Sequence, residues 1–454
     1  DTGSGDAVSA YYVPDDGFTA DNSARSGMQV SNIEGVLGYA FNWYRVYQTK
    51  SPTTVNTNPR EAAPAISAKD LTIAGFNVLN LFNGDGNGGD FPTARGATTA
   101  DEYARQLDKI VSALVVINAD ILGLMEIEND GFGSDSAIAQ LVDALNSAMG
   151  EGTYAYIDAS SVANNNGAVG TDEIVVGILY KPATVSVNEA PRVLYSSNSP
   201  SDDEGVLFVD TKNRPSLAQQ FIHLASGETF VVNVNHFKSK GSSCGTGDDD
   251  YETGQGNCNK TRTRAATAVA TWLEAEYPDT PVILLGDLNS YAKEDPITVL
   301  NDYGYSDAAA TVIGELAYSY TFDGQLGTLD YLMTNALASE WLFDATEWHI
   351  NADEPAVLDY NTEDNGDLFT NSLLYRASDH DPVIATFTMP SETMAGDWDS
   401  DGDIDMIDLQ RLSMAIASNQ DMDDSFDLNN DGLINIFDVM MLRNMCTNTG
   451  CAIN

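Results

Sequence analysis

The stretch Val282-Ile283-Leu284-Leu285-Gly286-Asp287-Leu288-Asn289 decides the reading of this chain. Four consecutive apolar residues fit a fully buried strand, although periodicity alone does not separate this from a buried helical piece. The run stops at Gly286, and a carboxylate and an amide follow two residues apart. Taken alone, the stretch is either a strand that presents a polar pair on a rigid support or a strand followed by an Asx turn. Four other strand-like segments ending in the same manner favour the first reading.

Working outward, Leu71 to Val78 reads as a strand. A helix follows, with Tyr103, Leu107, Ile110, Val111 and Leu114 at helical spacing. Asp120 to Glu126 is a buried strand ending in a carboxylate, and a second helix covers about 136–149. Ile174 to Tyr180 is strand-like, and Thr229 to Phe237 alternates so that Phe230, Val232, Val234 and His236 share a face. A Gly/Asp-rich loop over 241–257 leads into a helix with Ala266, Val269, Ala270 and Leu273 on its core side, and then into the opening strand. Leu329 to Met333 and Asp381 to Phe387 complete the set. Strands alternating with helices predict an α/β or α+β sheet domain. Residues 1–67 are turn-rich with short strands near 35–39 and 44–47, and Pro52, Pro59 and Pro64 mark a linker. They read as the end of a small β module trimmed on its N-terminal side.

Composition narrows the setting. The 454 residues carry 68 acidic against 21 basic side chains, a formal charge of -47. That balance fits a solvated acidic surface and argues against a broad electrostatic grip on nucleic acid or anionic membrane. A polyanionic substrate then needs divalent cations, salt or a local basic patch. No run of ~18 apolar residues exists, so no transmembrane helix is expected. No signal peptide is recognisable at the first residues, so the sequence reads as a mature or trimmed product. Four cysteines allow three pairings. Cys244 with Cys258 and Cys446 with Cys451 is the simplest, because short loops close easily. Disulfides predict an oxidising, secreted or extracellular setting.

The polar residues at strand ends are Asn77, Glu126, His236, Asp287, Asn289, Asp330, Asp379 and His380. Carboxylates, amides and two histidines suit metal-assisted attack on a phosphorus centre. A hard cation neutralises phosphate charge, a carboxylate or histidine positions and deprotonates water, and a protonated histidine supports the leaving oxygen. His223 and His349 have no comparable company and read as structural or solvated.

After Pro390, Asp397-x-Asp399-x-Asp401-Gly402-x-x-Asp405-x-x-Asp408 recurs thirty residues later as Asp427-x-Asn429-x-Asp431-Gly432-x-x-Asn435-x-x-Asp438. These are EF-hand ligand positions 1, 3, 5, 9 and 12 with glycine at 6, and Asp replaces the usual Glu at 12. Two Ca²⁺ ions are expected.

Phe76-Asn77-Val78, Met125-Glu126-Ile127-Glu128-Asn129, Asn235-His236-Phe237-Lys238-Ser239-Lys240, Gly286-Asp287-Leu288-Asn289, Leu329-Asp330-Tyr331 and Ser378-Asp379-His380-Asp381-Pro382-Val383 together resemble the endonuclease/exonuclease/phosphatase superfamily. The likeness is greatest to secreted bacterial nucleases of the ExeM type, and it covers about 70–389. It implies a DNase I-like α+β fold, a four-layer α/β sandwich with the strand ends meeting in one cleft. The expected boundaries are a β-rich segment 1–67, a catalytic domain 68–390 and a small all-α calcium-binding pair 391–454. By resemblance, Glu126 is the principal ligand of Mg²⁺ (or Mn²⁺ or Ca²⁺), with Asn77 and Asp379 supporting it. Asp287 and Asn289 orient the water or a second metal, and His380 (held by Asp330) and His236 flank the phosphate. Arg214 matches a phosphate-contacting arginine. Which histidine is the base, and whether one or two metals act, stay open.

The partner of His236 also stays open: Asp172 or Glu173 could hold it, and the strand there reads Ile174-Val175-Val176-Gly177, apolar where relatives often carry a lysine. Lys238, Lys240, Lys260, Arg262 and Arg264 cluster around the 241–257 loop. They either grip the substrate backbone or balance Asp248, Asp249 and Asp250. The C-terminal repeat resembles a type I dockerin, whose positions 10 and 11 (Met406-Ile407 and Ile436-Phe437) face a cohesin. That implies a cohesin-like or cell-surface partner, the alternative being a stabilising or sorting appendage.

The expected function is a secreted, metal-dependent phosphodiesterase acting on DNA, or on RNA, as a monomer. Its rivals are a phosphomonoesterase or lipid phosphodiesterase on the same scaffold, and a silent calcium-dependent binding protein. The polar 241–257 loop does not resemble a membrane-facing element.

Overall fold

The computed structural model describes residues 20, 24–40, 42–361, 374–390, 396–398, 403–418, 426–429, 431–447 and 451. Two mixed six-stranded sheets with flanking helices make up the larger unit. The first runs Leu342–Glu347, Val383–Phe387, Leu71–Leu81, Ile121–Glu128, Ile174–Tyr180, Ala155–Tyr156. The second runs Ser306–Asp307, Asp330–Thr334, Val282–Asp287, Thr229–His236, Ser216–His223, Val185–Leu194. Each holds one parallel pair, Leu71–Leu81 with Ile121–Glu128 and Thr229–His236 with Val282–Asp287; the other neighbours are antiparallel. Parallel neighbours need a crossover. Helix Ala100–Ile117 lies in the first connection and Asn259–Glu276 in the second.

Side-chain parity fixes how the layers stack. Val231, Val282, Leu284, Tyr331 and Met333 pack with Ala265, Ala266, Val269 and Leu273 of the helix behind them. The alternate residues therefore face the other sheet. Leu285 does so against Gly123, where an added Cβ would lie 2.1 Å from Leu285 Cδ1 and 2.9 Å from Val234 Cγ2. The missing side chain lets the sheets close. On that inward face, His236 follows Val234 and Asp287 follows Leu285, so both emerge at the edge of the sandwich.

The helix Ala137–Met149 begins at the Ser136 cap, matching the expected 136–149. The stripe expected on Ala100–Ile117 is corrected. Tyr103, Leu107 and Val111 are only half-buried, while Gln106 and Lys109 are buried with Ile110 and Leu114. These polar groups serve backbone: Lys109 Nζ donates to Tyr375 O at 2.9 Å, and Gln106 Nε2 donates to Leu79 O at 2.6 Å. Carbonyls at a strand bulge or in a turn need donors, and a helix facing them supplies polar side chains where a stripe would put Leu.

The N-terminal strands pair as Gln29–Ser31 with Thr53–Val55 and Gly35–Ala40 with Trp43–Gln48. Arg25 and Arg60 fix this segment to residues 353–354. Arg60 binds Glu354 through Nε at 2.7 Å and Nη2 at 2.8 Å, and Arg25 reaches Asp353 at 3.4 Å and Glu354 at 3.3 Å. His223 is buried. His349 stacks on Tyr318 and sits 2.9 Å from Asp381 Oδ2, so both histidines outside the motifs are packed in. Contacts group Asp1–Leu224 with Thr229–Thr388 as one unit, and Met389–Asn454 with Ala225–Glu228 as the other.

The smaller unit contains helices Met406–Ser418 and Ile436–Met445 around Ile404, Leu409, Leu412 and Leu442. Its two loops repeat one device: the position-12 carboxylates accept from the position-9 amides, Asp405 N to Asp408 Oδ2 at 2.9 Å and Asn435 N to Asp438 Oδ2 at 2.7 Å. Both expected disulfides are present. Among the described residues no helix is long and apolar enough to cross a membrane.

Candidate active site

Both parallel pairs end at one cleft of about 530 Å³. Backbone irregularity aims the side chains into it. The pairing of Leu71–Leu81 with Ile121–Glu128 slips between Asn77 and Leu81, and that of Ile121–Glu128 with Ile174–Tyr180 slips between Leu124 and Ile127. Leu79, Asn80 and Glu126 all have positive φ, at 55°, 49° and 67°. Such conformations are costly for residues with a Cβ and gather where a strand must re-aim a functional group. Glu126 Oε2 accepts from Asn80 N–H at 3.0 Å, so the two slips lock together around the carboxylate.

On the second sheet, a Cβ at Gly286 would lie 1.9 Å from Asn235 O at φ +140°. Only glycine lets the strands stay paired where His236 stands opposite Asp287. Asn289, at φ 48°, turns the chain back; its N–H binds Asp287 Oδ1 at 2.9 Å and its Nδ2 binds Phe237 O at 3.2 Å.

Asp287 is the hub. Its Oδ2 lies 3.5 Å from His236 Nε2, 3.9 Å from His380 Nε2 and 3.3 Å from Asn77 Nδ2. Glu126 Oε1 is 3.9 Å from His236 Nε2 and 3.2 Å from Asn77 Nδ2. His380 Nδ1 meets Asp330 Oδ2 at 2.7 Å, and the same oxygen accepts from Ser319 Oγ at 2.8 Å. Tyr320 packs on the His380 ring with centroids 4.6 Å apart. Asp379 lies at the rim, 4.0 Å from His380 Nε2, and Arg214 Nη1 lies 3.5 Å from His236 Nε2.

Burial raises the carboxyls of Glu126 and Asp287; the Asp379 charge adds to the first and the Asp330 charge to the second. The two histidines move apart. Burial pushes His236 well below its usual value, reinforced by Arg214 and His380. Burial acts the same way on His380, but the Asp330, Asp379 and Asp287 charges outweigh it and hold it well above.

Two donor groups could hold a metal ion, Glu126–His236–Asp287 and Asp287–Asp330–His380, each with ligand atoms within 4.8 Å of one another. Glu126 and Asp287 offer oxygen donors, in a buried site that disfavours their bare charges, which suits a hard divalent cation. A third group, Asp403–Asp405–Asp408, belongs to the first C-terminal loop. Asp397, Asp405 and Asp408 are buried there, whereas Asp427, Asn429, Asp431 and Asn435 of the second loop are more open and Asp438 is buried. Asp399 and Asp401 lie outside the described residues.

Asn77 presents Nδ2 to both carboxylates, those of Glu126 and Asp287, and its Oδ1 accepts from Leu79 N–H at 3.0 Å. Several expectations are corrected. Neither Asp172 nor Glu173 holds His236. Asp172 pairs with Arg95 and Arg214, Glu173 pairs with Arg95, and His236 Nδ1 is buried with no hydrogen-bond partner among the described residues. The basic cluster around 241–257 is largely committed to carboxylates other than those of Asp248–Asp250. Lys240 binds Glu294, Lys260 binds Glu204 at 2.6 Å, and Arg264 binds Asp202 at 2.6 Å and 2.8 Å. Arg262 is buried on Ser290 Oγ and the carbonyls of Lys238 and Asn257. Lys240 still lines the cleft; Arg264 does not, and Lys238 Nζ donates to Ser239 and Ser242. In a chain this acidic, cations find closer carboxylates than the aspartates next to them in sequence.

Ser319, Gln106, Arg95 and Asp403 were missed. No motif marks Ser319 or Arg95. Asp403 stands at EF-hand position 7, where a backbone carbonyl is the usual ligand. Gln106 was discoverable as a polar residue interrupting an apolar helical stripe.

Residues 395–446 match the dockerin type I domain family. The long isoform of ulvan lyase from Glaciecola sp. (strain KUL10) is 34% identical over 73 residues, a match taking in 16% of this chain and 7% of that protein. The chain therefore spans only a small part of that relative's length. Among solved structures, an endonuclease/exonuclease/phosphatase from Bacteroides vulgatus is 12% identical with a TM-score of 0.44, covering 70% of this chain and 99% of its own. A Bacteroides thetaiotaomicron mannosyl-6-phosphatase is 15% identical with a TM-score of 0.44, covering 70% and 100%. D. rerio TDP2 complexed with single strand DNA product is 15% identical with a TM-score of 0.39, covering 70% and 99%. Identities this low say nothing about activity.

Proposed function

We propose that this chain is a secreted member of the endonuclease/exonuclease/phosphatase superfamily, a divalent-metal-dependent phosphodiesterase that hydrolyses DNA or RNA. One observation carries the reading: Asp287 lies within 4 Å of both His236 and His380, with Glu126 and Asp330 completing the group from two sheets. Phosphoryl transfer asks a protein mainly for positioning and charge stabilisation, which such a group provides.

Glu126 and Asp287 would hold the cation, which supplies Lewis-acid polarisation of a phosphoryl oxygen when bound. Asp287, fixed by the Asn289 amide, is the group that orients the attacking water and accepts its proton. His380, kept protonated by Asp330 and Asp379, donates from Nε2 to the phosphate or to the departing oxygen. His236 works as the neutral partner, and with Arg214 it fixes a phosphoryl oxygen. The two histidines, driven in opposite directions, support separate roles as proton donor and neutral partner. Asp330, itself held by Ser319, fixes the ring orientation of His380.

Residues 68–390 carry this activity, and residues 391–454 form a calcium-loaded dockerin that docks on a cohesin. Exposed Met406, Ile436 and Phe437 supply its contact face. The dockerin match and the disulfides support an extracellular setting.

The test is digestion of plasmid DNA, RNA and p-nitrophenyl phosphate with Mg²⁺, Mn²⁺, Ca²⁺ or EDTA. Metal-dependent cleavage of nucleic acid, reduced about 10²–10⁴-fold in His236→Ala and Asp287→Ala, is expected. Hydrolysis of the monoester alone would reassign the substrate, and no hydrolysis with any metal would remove the reading.

A further inference from the structure

Arg95 belongs to none of the motifs, yet it lines the cleft beside Asn80 and Arg214. Its Nε binds Glu173 Oε2 at 3.1 Å and its Nη2 lies 3.2 Å from Asp172 Oδ1. The other oxygen of Asp172 is 3.4 Å from Arg214 Nε. Two guanidinium groups thus share one carboxylate at the wall of the cleft.

The placement is built. Gly96, at φ +75°, brings its Cα against Asn80 O, where a Cβ would sit 2.2 Å away. Thr93 N and Oγ1 both bind Ala97 O, at 3.2 Å and 2.7 Å, closing a tight loop around Arg95. Asn80 N–H in turn holds Glu126. Arg95 is therefore anchored, through one turn of chain, to the carboxylate at the heart of the site.

The ion pairs on Arg95 are weak ones. Its side chain is 38% exposed and that of Glu173 is 56% exposed, unlike the fully buried Glu354 under Arg60. Exposed pairs contribute little and exchange readily. Lys240 also lines the cleft but is held by the nearly buried Glu294, and Lys260 and Arg264 lie outside the lining, so Arg95 and Arg214 are the arginines that the cleft offers to a polyanion. Arginine suits phosphate because its planar fork binds two oxygens at once.

We infer that Arg95 forms a second phosphate-binding position beside that of Arg214, so that the preferred substrate carries at least two consecutive phosphodiesters. The inference rests on the phosphodiesterase reading of the same site. The occupant is a nucleic acid strand in extended contact with the cleft wall, whose second phosphate takes Arg95 from Glu173.

The experiment compares hydrolysis of a thymidine dinucleotide, which has one phosphodiester, with that of pentathymidylate, for the unaltered chain, Arg95→Ala and Arg95→Lys. Arg95→Ala should lower kcat/KM on pentathymidylate at least about tenfold more than on the dinucleotide, through KM, with Arg95→Lys intermediate. Anisotropy of labelled pentathymidylate in EDTA should show weaker binding by Arg95→Ala, with the slope of log affinity against log salt smaller by about one. Equal losses on both substrates, or equal binding by the unaltered chain and Arg95→Ala, would overturn the inference. Failure of the unaltered chain to cleave either substrate would overturn the phosphodiesterase reading, and the binding comparison would still decide the role of Arg95.

Discussion

Replacing Gly286 by alanine tests whether the site depends on the close approach of two strands. The added Cβ would lie 1.9 Å from Asn235 O, 2.8 Å from its carbonyl carbon and 2.9 Å from its nitrogen. All three are backbone atoms of the paired strand, so no side chain can swing away, and relief requires pulling Thr229–His236 from Val282–Asp287. Overpacking costs about 1–3 kcal/mol, and the backbone at φ +140° adds about 1–3 kcal/mol for a residue with a Cβ. Unfolding entropy of about 2.1 cal/mol/K per residue converts this to a fall in Tm of roughly 3–9 °C for a domain of this size. Because His236 and Asp287 are directly opposed across that pairing, a shift of about 1 Å should also cut phosphodiester hydrolysis about 10²-fold. Gly88 is the control: its φ is +87°, but nothing lies within 4 Å of an added Cβ. Calorimetry and a hydrolysis assay on both variants decide the matter. If Gly286→Ala melts within a degree of Gly88→Ala and retains full activity, the argument from close approach fails.

Burial, more than any other cause, lifts the Glu347 carboxyl to about 8, so the folded chain keeps a proton that the unfolded chain releases near the ordinary value of 4.5. Stability from this group is full below that ordinary value and is lost as pH rises towards 8. Glu347→Gln should flatten the fall in urea midpoint over that window, and parallel slopes would refute the assignment. Arg60→Ala leaves buried Glu354 with one arginine fewer and should cost on the order of 3 kcal/mol by chemical denaturation. Removing Cys244 and Cys258 together opens a 14-residue separation and should cost about 3 kcal/mol, read as a lower Tm under non-reducing conditions. Calorimetric titration should find two Ca²⁺ sites with affinities near 10⁻⁴–10⁻³ M, and Asp405→Ala should abolish one of them; absence of any calcium-dependent heat would remove the metal from this region.

What could be read from the sequence follows from the range of the interactions involved. Val282–Asp287 and Ile121–Glu128 were legible because burial on both faces forces an unbroken apolar run, whatever the rest of the chain does. Their polar ends were legible as a set because side chains that leave a buried strand need a purpose. The pairing of His380 with Asp330 spans 50 residues, and resemblance supplied it where spacing could not. The partner of His236 was not legible. Asp172 lies in the right loop, but two arginines compete for it, and the outcome depends on Gly96 holding Arg95 against Asn80. The same limit applies to the 241–257 lysines and arginines, whose carboxylates come from residues 202, 204 and 294. A chain with a formal charge of -47 offers every cation several carboxylates, so charge proximity in sequence loses its meaning and only the fold decides which pairs form. The cations that the fold leaves weakly paired at the cleft are then the ones to examine for substrate. That reasoning selects Arg95, which sequence did not mark, over Arg264, which it did.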